Sequence, residues 1–191
     1  LDRQGKATEA EALHRRVLAF NEKALGPEHP TVAATLNNLA FSLIHQGKAA
    51  EAEAMARRAL AILEKALGPD HWAVAGSLGT LGISLSRQGK NGEAEVLARR
   101  ALAMTERTER ADHPMVAIEL CILAGALRNQ GKAAEGEILS RRSLAIREKT
   151  LGREHPEVAS ALYNLGEDLR MQRRFAEAEG SYGRGLRIAL K

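Results

Sequence analysis

Aromatic side chains are scarce in this sequence. Its 191 residues include three Phe, two Tyr and one Trp, together 3% of the chain. Proteins that bind single-stranded nucleic acid commonly stack the bases on aromatic rings. So few rings provide little for such stacking, and the composition argues against a nucleic-acid surface of that kind.

Cysteine is almost absent, with Cys121 as the single example. One thiol cannot form a disulfide within the chain, which favours a reducing compartment. No apolar run approaches the roughly 18 residues that a transmembrane helix needs, and no signal peptide is recognisable. We therefore expect a cytoplasmic protein. The chain begins with Leu1 rather than Met, which suggests a fragment of a longer protein.

An excess of one charge sign is also missing. The chain has 28 Lys and Arg against 24 Asp and Glu, for a net charge of +4, and both signs are interspersed. This balance does not by itself indicate a nucleic-acid or membrane partner.

What the sequence does have is a repeat. The segments GPEHP, GPDHW, RADHP and GREHP begin at positions 26, 68, 110 and 152, a constant step of 42 residues. The tripeptide QGK begins at 4, 46, 88 and 130 with the same step, and QRR follows at 172. A fixed period of this length is typical of a solenoid built from repeated units.

Each repeat contains two predicted helices. Helix A spans about 30–46 and has apolar residues at spacings of 4, 3 and 4, which place them on one face. Helix B spans about 49–66 and has alanines at its packing positions, which allow close helix approach. Glycine after helix B and proline at the start of the next helix A fit the preferred helix ends. In the first complete repeat the apolar stripe is Val32, Leu36, Leu39 and Leu43.

These residues resemble the tetratricopeptide repeat. The likeness is carried by LNNLA at 36–40, GKAAEAE at 47–53 and RRALAILEKALGPDH at 57–71. The usual period of that family is about 34 residues, and the longer unit here resembles the variant in kinesin light chains and similar bacterial proteins. The resemblance implies an all-α fold, a right-handed tetratricopeptide superhelical solenoid of helix–turn–helix repeats.

The repeat step also divides the chain. We expect a partial repeat at 1–29, full repeats at 30–71, 72–113 and 114–155, and a final repeat at 156–191. Leu1 should lie at the tail of a helix A, followed by a helix B from about Ala7 to Leu25, so that nine helices and one stub are expected. In one unit the connector LEKALGP is replaced by TERTERA at 105–111, which predicts a longer or frayed helix B.

Catalytic or metal chemistry is not expected. The histidines at 29, 71, 113 and 155 recur once per repeat, so neighbouring imidazoles should lie roughly 10 Å apart, given helix packing distances of about 8–10 Å. That separation is too large for a shared zinc ion, so a structural role at the corner is favoured. Cys121 has no evident activating base, and no nucleotide-binding fingerprint is present. We expect no cofactor, no metal and no enzyme activity.

The face of helix A opposite the leucine stripe is the predicted binding site. A face turned away from the core should be polar, yet it carries Phe41 and Ile44. In tetratricopeptide proteins these positions line a concave groove that binds extended or helical peptides. Glycines at 76 and 79 would either admit a ligand backbone or merely pack the helices. The predicted groove residues are Asn37, Asn38, Phe41, Ile44, His45, Gly79, Thr80, Ile83, Arg87, Cys121, Arg128, Tyr163, Asn164, Glu167 and Arg170.

The expected function is therefore a scaffold for a protein or peptide partner. One alternative is a polyanion or nucleic-acid binder, because paired arginines recur every 42 residues on helix B. A glutamate four residues before the first arginine of each pair should neutralise half of this ladder. The other alternative is a self-assembling array joined through its uncapped ends. A carboxylate clamp for an acidic C-terminus is not expected, because no lysine stands at its first positions.

Overall fold

The computed structural model describes residues 2–108 and 111–190, with side chains from residue 8 onward. Within these residues there are nine α-helices and no strand, which confirms the all-α prediction. The helices are α1 (Asp2–Leu25), α2 (Pro30–His45), α3 (Ala49–Leu67), α4 (Trp72–Arg87), α5 (Asn91–Thr108), α6 (Pro114–Arg128), α7 (Ala133–Leu151), α8 (Pro156–Met171) and α9 (Phe175–Ala189).

The chain divides into two compact units, residues 1–104 and 105–191. In the first unit α2 packs between α1 and α3, and α4 packs against α3 and α2. In the second unit α6, α7, α8 and α9 pack in the same sequential manner. The even-numbered helices α2, α4, α6 and α8 are the A helices, and α1, α3, α5, α7 and α9 are the B helices. None of the described helices is both long and apolar enough to cross a bilayer.

The corner between helix B and the next helix A is held by its histidine. The Nδ1 atom of His29 accepts a hydrogen bond from the Thr31 amide at 3.2 Å, which caps a free N–H group at the start of α2. His71, His113 and His155 cap α4, α6 and α8 in the same way. Gly26 ends the preceding helix at φ 89°, a conformation that favours glycine. The structural role predicted for these histidines is confirmed.

The leucine stripe of each A helix forms the core. Val32, Leu36, Leu39 and Leu43 are fully buried. Burial of one such side chain contributes about 1.5–3 kcal/mol. On the facing B helix, Ala52, Ala56 and Ala59 are also fully buried, and their small side chains let the helix backbones approach.

A glutamate on each of three B helices bridges to the following repeat. Glu11 accepts hydrogen bonds from Gln46 at 2.9 Å and Lys48 at 2.8 Å. These bonds, first that of Lys48, lower the pKa of Glu11 to about 2. We call such a residue an inter-repeat carboxylate. The same arrangement joins Glu53 to Gln88 and Lys90, and Glu137 to Gln172 and Arg174.

Two predictions about the ends of elements need comment. The expected turn after Leu1 is wrong, because α1 already begins at Asp2 and includes the first QGK. The later copies of QGK end a preceding helix A, and no helix precedes α1 in the described residues. The altered connector at 105–111 cannot be compared in full, because residues 109 and 110 lie outside the described residues.

Candidate functional site

Phe41 is the most prominent apolar side chain on the outer face of α2. It is 49% exposed, although the leucines on the opposite face of the helix are fully buried. Its ring contacts His45 edge to face, with 5.1 Å between the centroids. Asn38 and His45 are exposed beside it. An aromatic ring, an imidazole and an amide therefore share one accessible surface.

Two other predicted groove residues of α2 contribute little accessible surface. Ile44 is buried at 7% exposure, so it packs inside the first unit. Asn37 is half-buried, and its Nδ2 donates to the Ser77 hydroxyl at 2.7 Å. This bond ties α2 to α4 and fixes the spacing of the two A helices.

On α4 the predicted residues differ in their accessibility. Thr80 and Ile83 are half-buried and Arg87 is exposed. The Thr80 hydroxyl donates to the Gly76 carbonyl at 3.0 Å, so it is satisfied within its own helix. Gly79 is buried, which leaves Gly76, with open space where a Cβ would stand, as the more accessible of the two glycines.

The second unit has a more polar face, centred on α8. Tyr163 is 59% exposed, and its ring lies 5.7 Å from that of Tyr182. The Tyr182 hydroxyl donates to Glu167 at 2.5 Å, and Arg170 pairs with Glu167 at 2.8 Å. The hydrogen bond from Arg170 is the main reason that the pKa of Glu167 is lowered. Burial, followed by the bond to Glu167, raises the pKa of Tyr182 to about 12.

Arg128 is occupied by a buried carboxylate that the sequence reasoning missed. It donates to Asp168 at 3.0 Å and to the Asn164 carbonyl at 3.2 Å. Asp168 is fully buried and also accepts from the Ser140 hydroxyl at 2.5 Å. Burial raises the pKa of Asp168, while the bonds from Ser140 and Arg128 oppose that shift. Arg128 therefore has a positioning role on α6.

Cys121 lies in a polar contact rather than beside a base. Its Sγ is 3.1 Å from the Ser143 hydroxyl, and the Asn164 amide approaches it at 3.7 Å. A thiol acts as a nucleophile when a cation or base lowers its pKa, and neither contact is of that kind. The same contacts join α6 to α7 and α8, so Cys121 and Asn164 help to hold the second unit together.

The arginine ladder on the B helices is more fully paired than the sequence suggested. The first arginine of each pair bonds the glutamate four residues before it, as Arg57 does with Glu53 at 2.7 Å. The second arginine pairs with a glutamate of the preceding B helix, as Arg100 does with Glu64 at 2.8 Å. Equivalent second pairs are Arg58–Glu22, Arg142–Glu106 and Arg184–Glu148. The expected neutralisation of half the ladder thus extends to both arginines in these repeats.

Comparison with known proteins agrees with this architecture. The sequence profile described as "Tetratricopeptide repeat" matches residues 2–65, 31–107 and 115–191. None of the curated proteins compared with the chain matches it significantly.

Several solved structures share the fold. A Podospora anserina protein, described as a kinesin light chain with nearly identical TPR-like repeats, is 28% identical; the match covers 96% of this chain and 87% of that one, with a TM-score of 0.72. BtubC from P. vanneervenii is 23% identical over 99% of this chain and 75% of its own, with a TM-score of 0.74. A Rap protein complexed with Competence and Sporulation Factor is 18% identical over 98% of this chain and 50% of its own, with a TM-score of 0.84.

The profile matches, the helix–turn–helix units and the kinesin-light-chain-like structures all agree with the 42-residue repeat, and the chain belongs to the tetratricopeptide repeat family.

Proposed function

We propose that the chain is a non-enzymatic scaffold that binds a peptide or a partner segment through the outer faces of its A helices. The half-exposed Phe41 carries this proposal. A large aromatic side chain at the surface is a typical anchor for a protein partner, since aromatic residues are enriched among binding hot spots. Phe41 is also oriented by its contact with His45.

The surroundings of Phe41 suit a peptide. The amide of Asn38 can donate to and accept from a peptide backbone, and Arg87 on the neighbouring A helix can pair with a carboxylate. A small apolar anchor with a few convergent polar groups is typical of a binding site. The surface is formed before binding, because α2 and α4 are held together by the Asn37–Ser77 bond.

The face of the second unit would prefer a more polar ligand. Tyr163 offers an exposed ring, while Glu167 and Arg170 are already paired with each other. A ligand charge must compete with that pair, so we propose that Tyr163 provides most of the affinity there. The polyanion alternative is weakened, because a partner must also compete with the glutamates that pair with the arginine ladder. The single cysteine supports our proposal of a cytoplasmic location.

The experiment is a selection of binding peptides from a displayed random library, followed by affinity measurement. We expect Phe41→Asp to abolish binding of the selected peptides, because a charge replaces the apolar anchor. Phe20→Asp is the matched control, since Phe20 is 70% exposed on the B helix α1. Equal binding by wild type and Phe41→Asp, with an unchanged helical circular dichroism spectrum, would contradict the proposal.

A further inference from the structure

The outer side of the last repeat contains a large apolar groove between α8 and α9. Its volume is about 980 Å³. Three large side chains along it remain well exposed, namely Tyr163 at 59%, Phe175 at 63% and Leu186 at 60%. In the described part of the chain, no further helix packs against this side of α9.

The repeat shows what such a surface receives elsewhere in the same chain. The B helices α3 and α7 each pack against the A helix that follows them, α4 and α8. Helix α9 has the register of these B helices, since its buried Ala178 stands 126 residues after the buried Ala52, three steps of 42. The groove is therefore a copy of an interface that elsewhere holds an A helix.

Glu179 is a copy of the inter-repeat carboxylates. It lies 42 residues after Glu137 and lines the groove. The earlier copies accept hydrogen bonds from a glutamine 35 residues later and from a lysine or arginine 37 residues later. Glu179 is exposed and has no hydrogen-bond or ion-pair partner among the described residues. Gly183 stands where the other repeats place the intrahelical arginine, so that pairing is missing as well.

We propose that this groove binds an amphipathic helix of a partner protein that ends in a turn with glutamine and a cation two residues apart. The helix lays its apolar stripe on Phe175 and Leu186. The amide and the Lys or Arg of its turn then bond Glu179, as Gln46 and Lys48 bond Glu11. Charge complementarity at Glu179 fixes the direction of the helix. The surface is distinct from the A-helix face of the proposed function, apart from Tyr163, Asn164 and Arg170, and does not depend on it.

A labelled synthetic peptide with the sequence of residues 29–48 is a suitable probe, because it contains helix α2 and its QGK turn. We expect it to bind the chain in fluorescence anisotropy, and Leu186→Arg to abolish that binding. Glu179→Gln should weaken it about fivefold, in the range of a charge-assisted hydrogen bond. A peptide in which the lysine at 48 is Gln should lose the same factor on wild type and nothing further on Glu179→Gln.

Ile138→Arg is the matched control, since Ile138 is 69% exposed on α7 and does not line the groove; its peptide affinity should equal that of wild type. Equal peptide affinity for wild type, Leu186→Arg and Glu179→Gln would overturn the proposal. Light scattering covers the other occupant. If wild type is a dimer that Leu186→Arg converts to a monomer, and the peptide does not compete with dimerisation, the groove is an interface between two copies and the proposal is wrong.

Discussion

Arg128 on α6 and Asp168 on α8 form an ion pair, with 3.0 Å between Nη1 and Oδ1, and the carboxylate is fully buried. Removing one partner of a buried pair leaves an uncompensated charge. We therefore expect Arg128→Met to lower the free energy of unfolding by about 3 kcal/mol, measured by urea denaturation.

The neighbouring pair between Arg170 and Glu167 provides the control. It is comparable in length at 2.8 Å, but Arg170 is exposed to solvent. Exposed ion pairs contribute about 0–1 kcal/mol, so Arg170→Met should change stability by less than Arg128→Met does. Equal losses in the two variants would contradict a special role for the buried pair.

Gly166 and Gly180 should respond in opposite ways to alanine. A Cβ at Gly166 would lie 2.8 Å from Cδ1 of Tyr182, whose hydroxyl is held by Glu167, so the ring must move. We expect Gly166→Ala to destabilise by about 1–3 kcal/mol. At Gly180 no atom lies within 4 Å, and alanine should stabilise the helix by up to about 1 kcal/mol. Thermal denaturation of both variants tests this contrast, and a gain in both would refute it.

Glu119 should make stability fall as the pH rises. It is 1% exposed, its Oε2 has no hydrogen-bond partner among the described residues, and burial raises its pKa from 4.5 to about 8. Between these values the folded state holds a proton that the unfolded state releases, so folding is favoured at the acid end and loses this contribution toward pH 8. The loss should be on the order of a few kcal/mol.

Chemical denaturation of wild type and Glu119→Gln at a series of pH values is the measurement. The variant cannot ionise at this position, so its stability should change much less over this pH range. Inter-repeat carboxylates such as Glu11 act in the opposite direction and at lower pH, because the lowered pKa of about 2 makes their contribution disappear only in acid. A wild type as flat as Glu119→Gln would show that Glu119 is ionised when buried.

The histidine caps can be tested at His71. Its Nδ1 accepts from the Ala73 amide at 3.2 Å, and loss of an N-cap costs about 1 kcal/mol. We expect His71→Ala to lower stability by that amount and His71→Asp to retain it, since Asp is also a good N-cap. The exposed His45 is the control, and His45→Ala should leave the free energy of unfolding nearly unchanged.

The sequence predicts the fold well because each structural signal occurs several times. Helix A was expected from Pro30 to Gln46 and ends at His45, and the leucine stripe is buried as its spacing indicates. The corner histidine could be interpreted as structural only because four copies share one step. Periodicity thus identifies the elements, their order and the side that packs.

The candidate site is less predictable, because its details occur once. Spacing placed Ile44 on the outer face, but it cannot show that the packing of neighbouring helices covers that position. Asp168 has no acidic counterpart in the other repeats, where Ser42, Ser84 and Ala126 occupy its place, so no pattern indicated a buried charge. Its one signal was an acid within an otherwise small or apolar position.

The inter-repeat carboxylates also bear on how such a chain can change in length. Each one joins residues 35 and 37 positions apart, so it depends on the number of residues in a unit and not on its place in the array. Duplication or deletion of a whole 42-residue module would preserve every such contact. Insertion of a single residue within helix α4 would instead rotate the rest of that helix by about 100° and separate Glu53 from Gln88 and Lys90. Selection on these carboxylates would therefore maintain the unit length while leaving the number of units free to vary.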